Sequence, residues 1–116
     1  MLGAIFAGLG VMAGAFGAHG LKGRLSLEYL QVFETAVRYQ MYHAFGLIVI
    51  GFLSLRVEAP ALKLAGLAFI AGIILFSGSL YGLTLSGVKS LGMVTPFGGL
   101  AFILGWGAII YGLARI

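Results

Sequence analysis

Charged residues divide the chain into four long uncharged segments. No Lys, Arg, Asp or Glu occurs within residues 1–21, 39–55, 64–88 or 90–114. A helix crosses the hydrocarbon core of a bilayer with about 20 predominantly apolar residues, and short connections make consecutive helices antiparallel neighbours. The pattern therefore predicts one transmembrane domain over residues 1–116, an all-α integral membrane four-helix bundle with spans at Leu2–Ala18, Thr35–Leu55, Leu62–Leu83 and Thr95–Leu113.

Capping signals agree with these boundaries. Thr95 and Pro96 have the residue types of an N-cap followed by the first helical position, and Pro60 stands ahead of the third span. Ser26 can cap a second helix that runs from Leu27 to Arg56, about 45 Å at 1.5 Å per residue. Because this length exceeds a hydrocarbon core of about 30 Å, the first turns of the helix must project into the headgroups or the helix must tilt strongly.

Small residues recur along the first, third and fourth spans at a mean step of about 3.5 residues. In lipid, such residues mark positions where helices approach closely, and this period keeps one face towards a partner with left-handed crossing. The pattern predicts helix-packing glycines at Gly10, Gly14 and Gly17, at Gly78 and Gly82, and at Gly98 and Gly105.

The second span differs because its inward face is bulkier and polar. Two interpretations of its polar stripe remain open: a headgroup-level Glu34–Arg38 ion pair with tyrosines as interfacial anchors, or a polar vestibule. His43 lies about 18 Å from Leu55, near mid-membrane, where an ionisable residue is a functional candidate. A neutral histidine bonded to Gln40 or a serine is the commoner case. The candidate polar site comprises His19, Glu34, Arg38, Tyr39, Gln40, Tyr42 and His43.

Composition supports a membrane protein and excludes several chemistries. The chain is 61% hydrophobic with 9% charged residues, whereas a soluble domain has about 25%. The absence of cysteine excludes disulfides and thiolate chemistry, and singly scattered basic residues do not indicate nucleic-acid binding. Two histidines and three glutamates make a closed zinc site unexpected. Haem ligation is disfavoured because His19 and His43 differ in apparent depth, so we expect no enzyme, metal or cofactor.

Four sequence blocks point to a known family. They are Gly14–Lys22, Phe33–Ala44, Leu75–Tyr81, and Thr95–Gly99 followed by Gly105-Trp106. Together they resemble the signatures of the YgdD/YwdK-like family of small bacterial inner-membrane proteins, a domain-of-unknown-function family with eukaryotic relatives. The resemblance implies a multi-pass inner-membrane protein with four spans and brings no established activity. It directs attention to His19, Glu34, Arg38, Tyr39, Gln40, His43, Ser77, Ser79, Tyr81, Pro96 and Trp106.

Two functional hypotheses follow. The first is a non-enzymatic accessory or assembly component in the lipid bilayer, as a homo-oligomer or part of a larger membrane complex, because few polar groups are present to line a pathway. The alternative is a small transporter or binder of a small or lipid-like ligand that uses the stripe on the second helix. A multidrug-type exporter is disfavoured because the first span has no carboxylate. Basic residues divide almost equally between the two ends, so their pattern does not determine orientation.

Overall fold

The computed structural model describes every residue from Met1 to Ile116 and is helical. This confirms the all-α membrane bundle. Three helical stretches, Leu2–His19, Pro60–Ser86 and Lys89–Ala114, are long and apolar enough to cross a membrane. The α-helices are α1 (Leu2–His19), α2 (Leu27–Ser54), α3 (Pro60–Gly72), α4 (Gly78–Ser86) and α5 (Thr95–Ala114), with a π-helical turn at Ile73–Ser77 and a 3₁₀ helix at Lys89–Met93.

The helix ends follow the capping signals with one exception. The Ser26 side chain accepts a hydrogen bond from the Tyr29 backbone N–H at 3.1 Å, and Pro60 lies in the first turn of α3. Thr95 begins α5 but does not cap it. Its hydroxyl instead lies 2.6 Å from the Ser79 hydroxyl, so this threonine joins two helices rather than terminating one.

The helices form a layer rather than a square bundle. The molecule measures 50 × 26 × 16 Å, with α1 packed against α2 and α5 packed against α3. The π turn and its flanking helices lie between α2 and α5. The buried apolar cluster is on this side of the molecule and consists of Ile50, Leu62, Ala65, Phe69, Ile73 and Phe102.

Small residues of α1 bring it close to α2. A Cβ added at Gly17 would lie 2.9 Å from the Phe33 ring, and one at Gly14 would lie 3.4 Å from Val37. Gly10 lies directly against the Met41 side chain. The glycine period of α1 therefore follows the surface of α2.

Glycines of α5 face α3 and the π turn in the same way. A Cβ at Gly105 would lie 2.5 Å from the Phe69 ring, and Gly98 lies directly against the backbone of Phe76. In α4 the two predicted glycines do not meet another long helix, because a Cβ at Gly78 would meet nothing within 4 Å and one at Gly82 would meet Leu91 of the 3₁₀ helix. Gly78 is therefore not a packing glycine, and Gly82 contacts a connection rather than a helix.

A π turn separates α3 from the helix that carries these two glycines. A π turn closes its hydrogen bonds from i to i+5 instead of i to i+4. One additional residue rotates the following helix by about 100° relative to an uninterrupted period of 3.6 residues. Ser79, two steps of about 3.5 residues after Gly72, is buried, as is Thr84, whereas Gly78 lies about 100° from Ser79 around the helix.

Candidate functional site

Gln40 connects three helices in the interior. Its side chain is only 4% exposed. The amide Nε2 donates a hydrogen bond to the Phe6 backbone carbonyl of α1 at 2.7 Å, and Oε1 accepts one from the Tyr81 hydroxyl of α4 at 2.7 Å. Both halves of the amide are thus used to join α2 to its neighbours.

His43 connects α2 to α5. Its Nε2 accepts a hydrogen bond from the indole N–H of Trp106 at 3.0 Å, and its Nδ1 lies 2.7 Å from the Tyr39 carbonyl oxygen. Because an indole N–H can only donate, Nε2 must be the unprotonated nitrogen, and Nδ1 donates to the carbonyl. The ring is therefore a neutral imidazole, and its partners are Trp106 and a backbone carbonyl rather than Gln40 or a serine.

Aromatic rings enclose this histidine. The imidazole stacks on the Phe102 ring with a centroid separation of 3.5 Å and an interplanar angle of 7°. The Phe69 ring meets it edge-on at 4.9 Å, and the Tyr39 ring packs on Phe76 at 4.7 Å. A low-polarity shell of this kind strengthens the hydrogen bonds that it encloses.

Hydroxyl groups complete the interior bonding. The Ser77 hydroxyl, fully buried in the π turn, donates to the Ala36 carbonyl of α2 at 2.7 Å. Ser79 and Thr95 pair across α4 and α5. Every buried side-chain nitrogen and oxygen has a hydrogen-bond partner. The interior polar groups are therefore all paired, most of them between helices and Thr84 within its own helix.

The predicted polar stripe separates into an inner and an outer part. Gln40 and His43 are buried, whereas Glu34, Arg38, Tyr42 and His19 are exposed, and Tyr39 has 40% of its surface exposed. The side-chain hydrogen bonds of the structure include none between Glu34 and Arg38, so the predicted ion pair does not form. The stripe therefore does not form one continuous vestibule from the outer charges to His43.

The outer charges instead border a groove between the end of α1 and the beginning of α2. We call this the α1–α2 groove. Its volume is about 530 Å³, and its lining includes the charged side chains of Lys22, Glu34 and Arg38. The remaining lining is apolar or small and consists of Gly14, Gly17, Ala18, Leu27, Leu30, Phe33 and Val37.

A second cleft, about 410 Å³ in volume, lies over α2 between α1 and the π turn region. Gln40 and Tyr81 border it together with apolar side chains that include Phe6 and Leu9. Because the Gln40 amide oxygen and the Tyr81 hydroxyl already bond to each other, the polar part of this cleft is occupied by an internal contact.

Spacing along the chain located only part of these arrangements. Tyr81 and Trp106 bond to Gln40 and His43; the family resemblance indicates both residues, whereas the period of no helix does. Lys22 is not among the predicted site residues, although it is the first charged residue after the first uncharged segment. The one signal that places it near Glu34 is antiparallel pairing of α1 and α2.

Comparison with known proteins adds a family. The model of a family described as "Protein of unknown function (DUF423)" matches residues 13–99. The UPF0382 membrane protein YwdK of Bacillus subtilis is 50% identical over 111 residues, which are 95% of this chain and 90% of that protein. The UPF0382 membrane protein SH2409 of Staphylococcus haemolyticus is 50% identical over 106 residues, which are 91% and 86% of the two chains. No solved structure matches the chain.

Proposed function

The chain belongs to the DUF423 family of membrane proteins, and we propose that it is a non-enzymatic accessory or assembly component of the membrane. The observation that carries this proposal is the complete internal pairing of its buried polar groups. The side chains of Gln40 and His43 form hydrogen bonds that hold helices together. Side chains used in this way position a scaffold, and they are not available to bind or convert a substrate.

The shape of the molecule supports the same proposal. A layer only 16 Å thick leaves two broad faces for lipid or for other helices. Large apolar side chains are exposed along α1, such as Val11 at 63%, and along α5, such as Ile103 at 68%. In lipid, helix association depends on packing and shape, so a flat layer with apolar faces is suited to lateral docking as a homo-oligomer or within a larger complex.

The transporter alternative gains no support from the interior. A transport path needs polar groups that can exchange bonds with a passing solute. Here the polar groups at mid-helix bond to one another and to backbone carbonyls, and aromatic rings enclose His43. Opening a path would require these contacts to break.

Mass measurement after mild detergent extraction tests the assembly proposal. We expect native mass spectrometry and light scattering to give a mass well above the 12.1 kDa of one chain. A photo-crosslinking residue at Ile103 or Val11 should then form a defined adduct with the same neighbour. A 12.1 kDa monomer in several mild detergents and in nanodiscs, with no defined adduct from either position, would contradict the proposal.

The proposal also includes the inner cell membrane as the location, with the chain crossing it several times. This compartment is what the family resemblance implied, and the apolar helices support membrane insertion. Separation of inner from outer membranes in a bacterium that has both tests it, because the protein should follow an inner-membrane marker.

A further inference from the structure

The α1–α2 groove combines an apolar wall with charges of both signs. Lys22, Glu34 and Arg38 line the same cavity of about 530 Å³. The side-chain hydrogen bonds of the structure involve none of these three groups. We propose that the groove binds one glycerophospholipid whose headgroup carries both a phosphate and a primary amine, as phosphatidylethanolamine does. This site does not depend on the assembly proposal.

With α2 crossing the bilayer as the sequence predicts, the groove lies at the depth of the headgroups. α2 contains 28 residues and is therefore about 42 Å long, which exceeds the hydrocarbon core by about 12 Å. If the Ser54 end of α2 lies at one boundary of the core, the other boundary falls near Thr35, between the levels of Glu34 and Arg38. The long Arg38 side chain can keep its guanidinium in the polar layer while its stem stays in the apolar one.

The charges of the groove select the headgroup. Two cations, Lys22 and Arg38, suit a phosphate, which arginine and lysine bind through charge-assisted hydrogen bonds. Glu34 is a carboxylate that needs a cationic donor, and a primary ammonium supplies N–H groups to it. A phosphatidylcholine headgroup has no N–H to donate, and a phosphatidylglycerol headgroup brings no cation to Glu34. Only a headgroup with both a phosphate and a cationic N–H donor satisfies all three side chains.

The apolar wall accommodates an acyl chain. Leu27, Leu30 and Val37 of α2 line the groove with apolar surface beside the charged side chains. Gly14 has no side chain, and a Cβ there would come within 3.4 Å of Val37. The two helices therefore approach closely at Gly14, and an acyl chain lies along the apolar surface of the groove rather than between the helices, where each buried CH₂ contributes about 0.8 kcal/mol.

Lipid retention by the purified full-length protein tests the proposal. Delipidated protein is equilibrated with phosphatidylethanolamine, phosphatidylcholine or phosphatidylglycerol of the same acyl chains, and bound lipid is counted by native mass spectrometry. The variants are Lys22→Gln, Arg38→Gln and Glu34→Gln. Arg24→Gln is the matched control, because Arg24 is an exposed cation in the same connection but does not line the groove.

The unaltered chain should retain one phosphatidylethanolamine in preference to the other two lipids. Lys22→Gln and Arg38→Gln should each weaken its retention about tenfold, the effect of losing one charge-assisted hydrogen bond, while Arg24→Gln leaves it unchanged. Glu34→Gln should remove the preference for phosphatidylethanolamine over phosphatidylcholine. The exposed positions of these residues keep the fold intact, which unchanged Trp106 fluorescence would verify.

Three results would overturn the proposal. Equal weakening of lipid retention by Arg24→Gln and Arg38→Gln would show that the lipid is attracted by any positive charge on this surface and not by the groove. Stronger retention of phosphatidylglycerol than of phosphatidylethanolamine by the unaltered chain would show that net charge and not the amine is recognised. An unchanged lipid preference in Glu34→Gln would remove the carboxylate from the site.

Discussion

Replacing Gly98 by alanine should separate α5 from the π turn. The new Cβ would lie 2.7 Å from both the Cα and the Cβ of Phe76, whereas carbon atoms in contact lie about 3.5–4.0 Å apart. The Phe76 backbone is fixed within a helical stretch and cannot rotate away as a side chain could. The two segments must therefore move apart locally by about 1 Å.

The loss of stability depends on the interactions that this contact keeps in place. Overpacking in a tightly packed interior costs about 1–3 kcal/mol. The same stretch carries the Phe76–Phe102 ring contact, with centroids 5.5 Å apart, and the Ser79–Thr95 hydrogen bond at 2.6 Å. Because separation weakens these as well, we expect Gly98→Ala to lower the free energy of unfolding by about 3 kcal/mol, at the upper end of that range.

Gly107→Ala in the same helix is the matched control. A Cβ at Gly107 would meet nothing within 4 Å, so this variant should be unchanged or up to about 1 kcal/mol more stable through helix propensity. Both variants are measured by reversible unfolding in mixed micelles or by steric trapping in bicelles. Stabilities of Gly98→Ala and Gly107→Ala that agree within about 0.5 kcal/mol would refute the argument that close backbone approach makes Gly98 necessary.

The same unfolding assays test three further interior contacts. Trp106→Phe keeps a ring but removes the only donor to His43 Nε2, and should cost about 1–3 kcal/mol; an unchanged stability would show that the bond is not formed in lipid. Gln40→Leu leaves the Tyr81 hydroxyl without its partner. The double variant with Tyr81→Phe should therefore lose less stability than the sum of the two single variants, with a coupling energy of about 0.6–1.7 kcal/mol. Strict additivity would contradict that contact. Ser77→Ala should cost about 1 kcal/mol and Ser86→Ala, at an exposed serine, should cost less than about 0.5 kcal/mol; equal effects would argue against the bond to Ala36.

Local features of the sequence predicted most of the fold. Gaps between charged residues and the signals at Ser26 and Pro60 place helix ends within a few residues of those observed. Such features act over one or two turns, so they are readable without tertiary information. Gly78 shows the limit, because a glycine within an apolar span does not reveal whether another helix packs against it, and a Cβ at Gly78 would meet nothing within 4 Å.

The sequence predicts which residues of α2 face the interior, but not which residues they contact there. The depth of His43 and Gln40 follows from counting residues along α2, but their partners come from other helices. Trp106 is 63 positions from His43, and Tyr81 is 41 positions from Gln40. Which of several polar side chains meets another depends on helix rotation and layer order, and these are set by packing across the whole molecule.

The most direct test of the account is the protonation pattern of His43 in a lipid bilayer. Solid-state NMR of ¹⁵N-labelled protein distinguishes a proton on Nδ1 from one on Nε2 and reports whether the Trp106 indole N–H exchanges with water. The account predicts one neutral tautomer with the proton on Nδ1 and an indole N–H that is protected from exchange. A proton on Nε2, or an indole N–H that exchanges rapidly, would show a hydrated interior and would contradict the claim that these groups serve to hold the helices together.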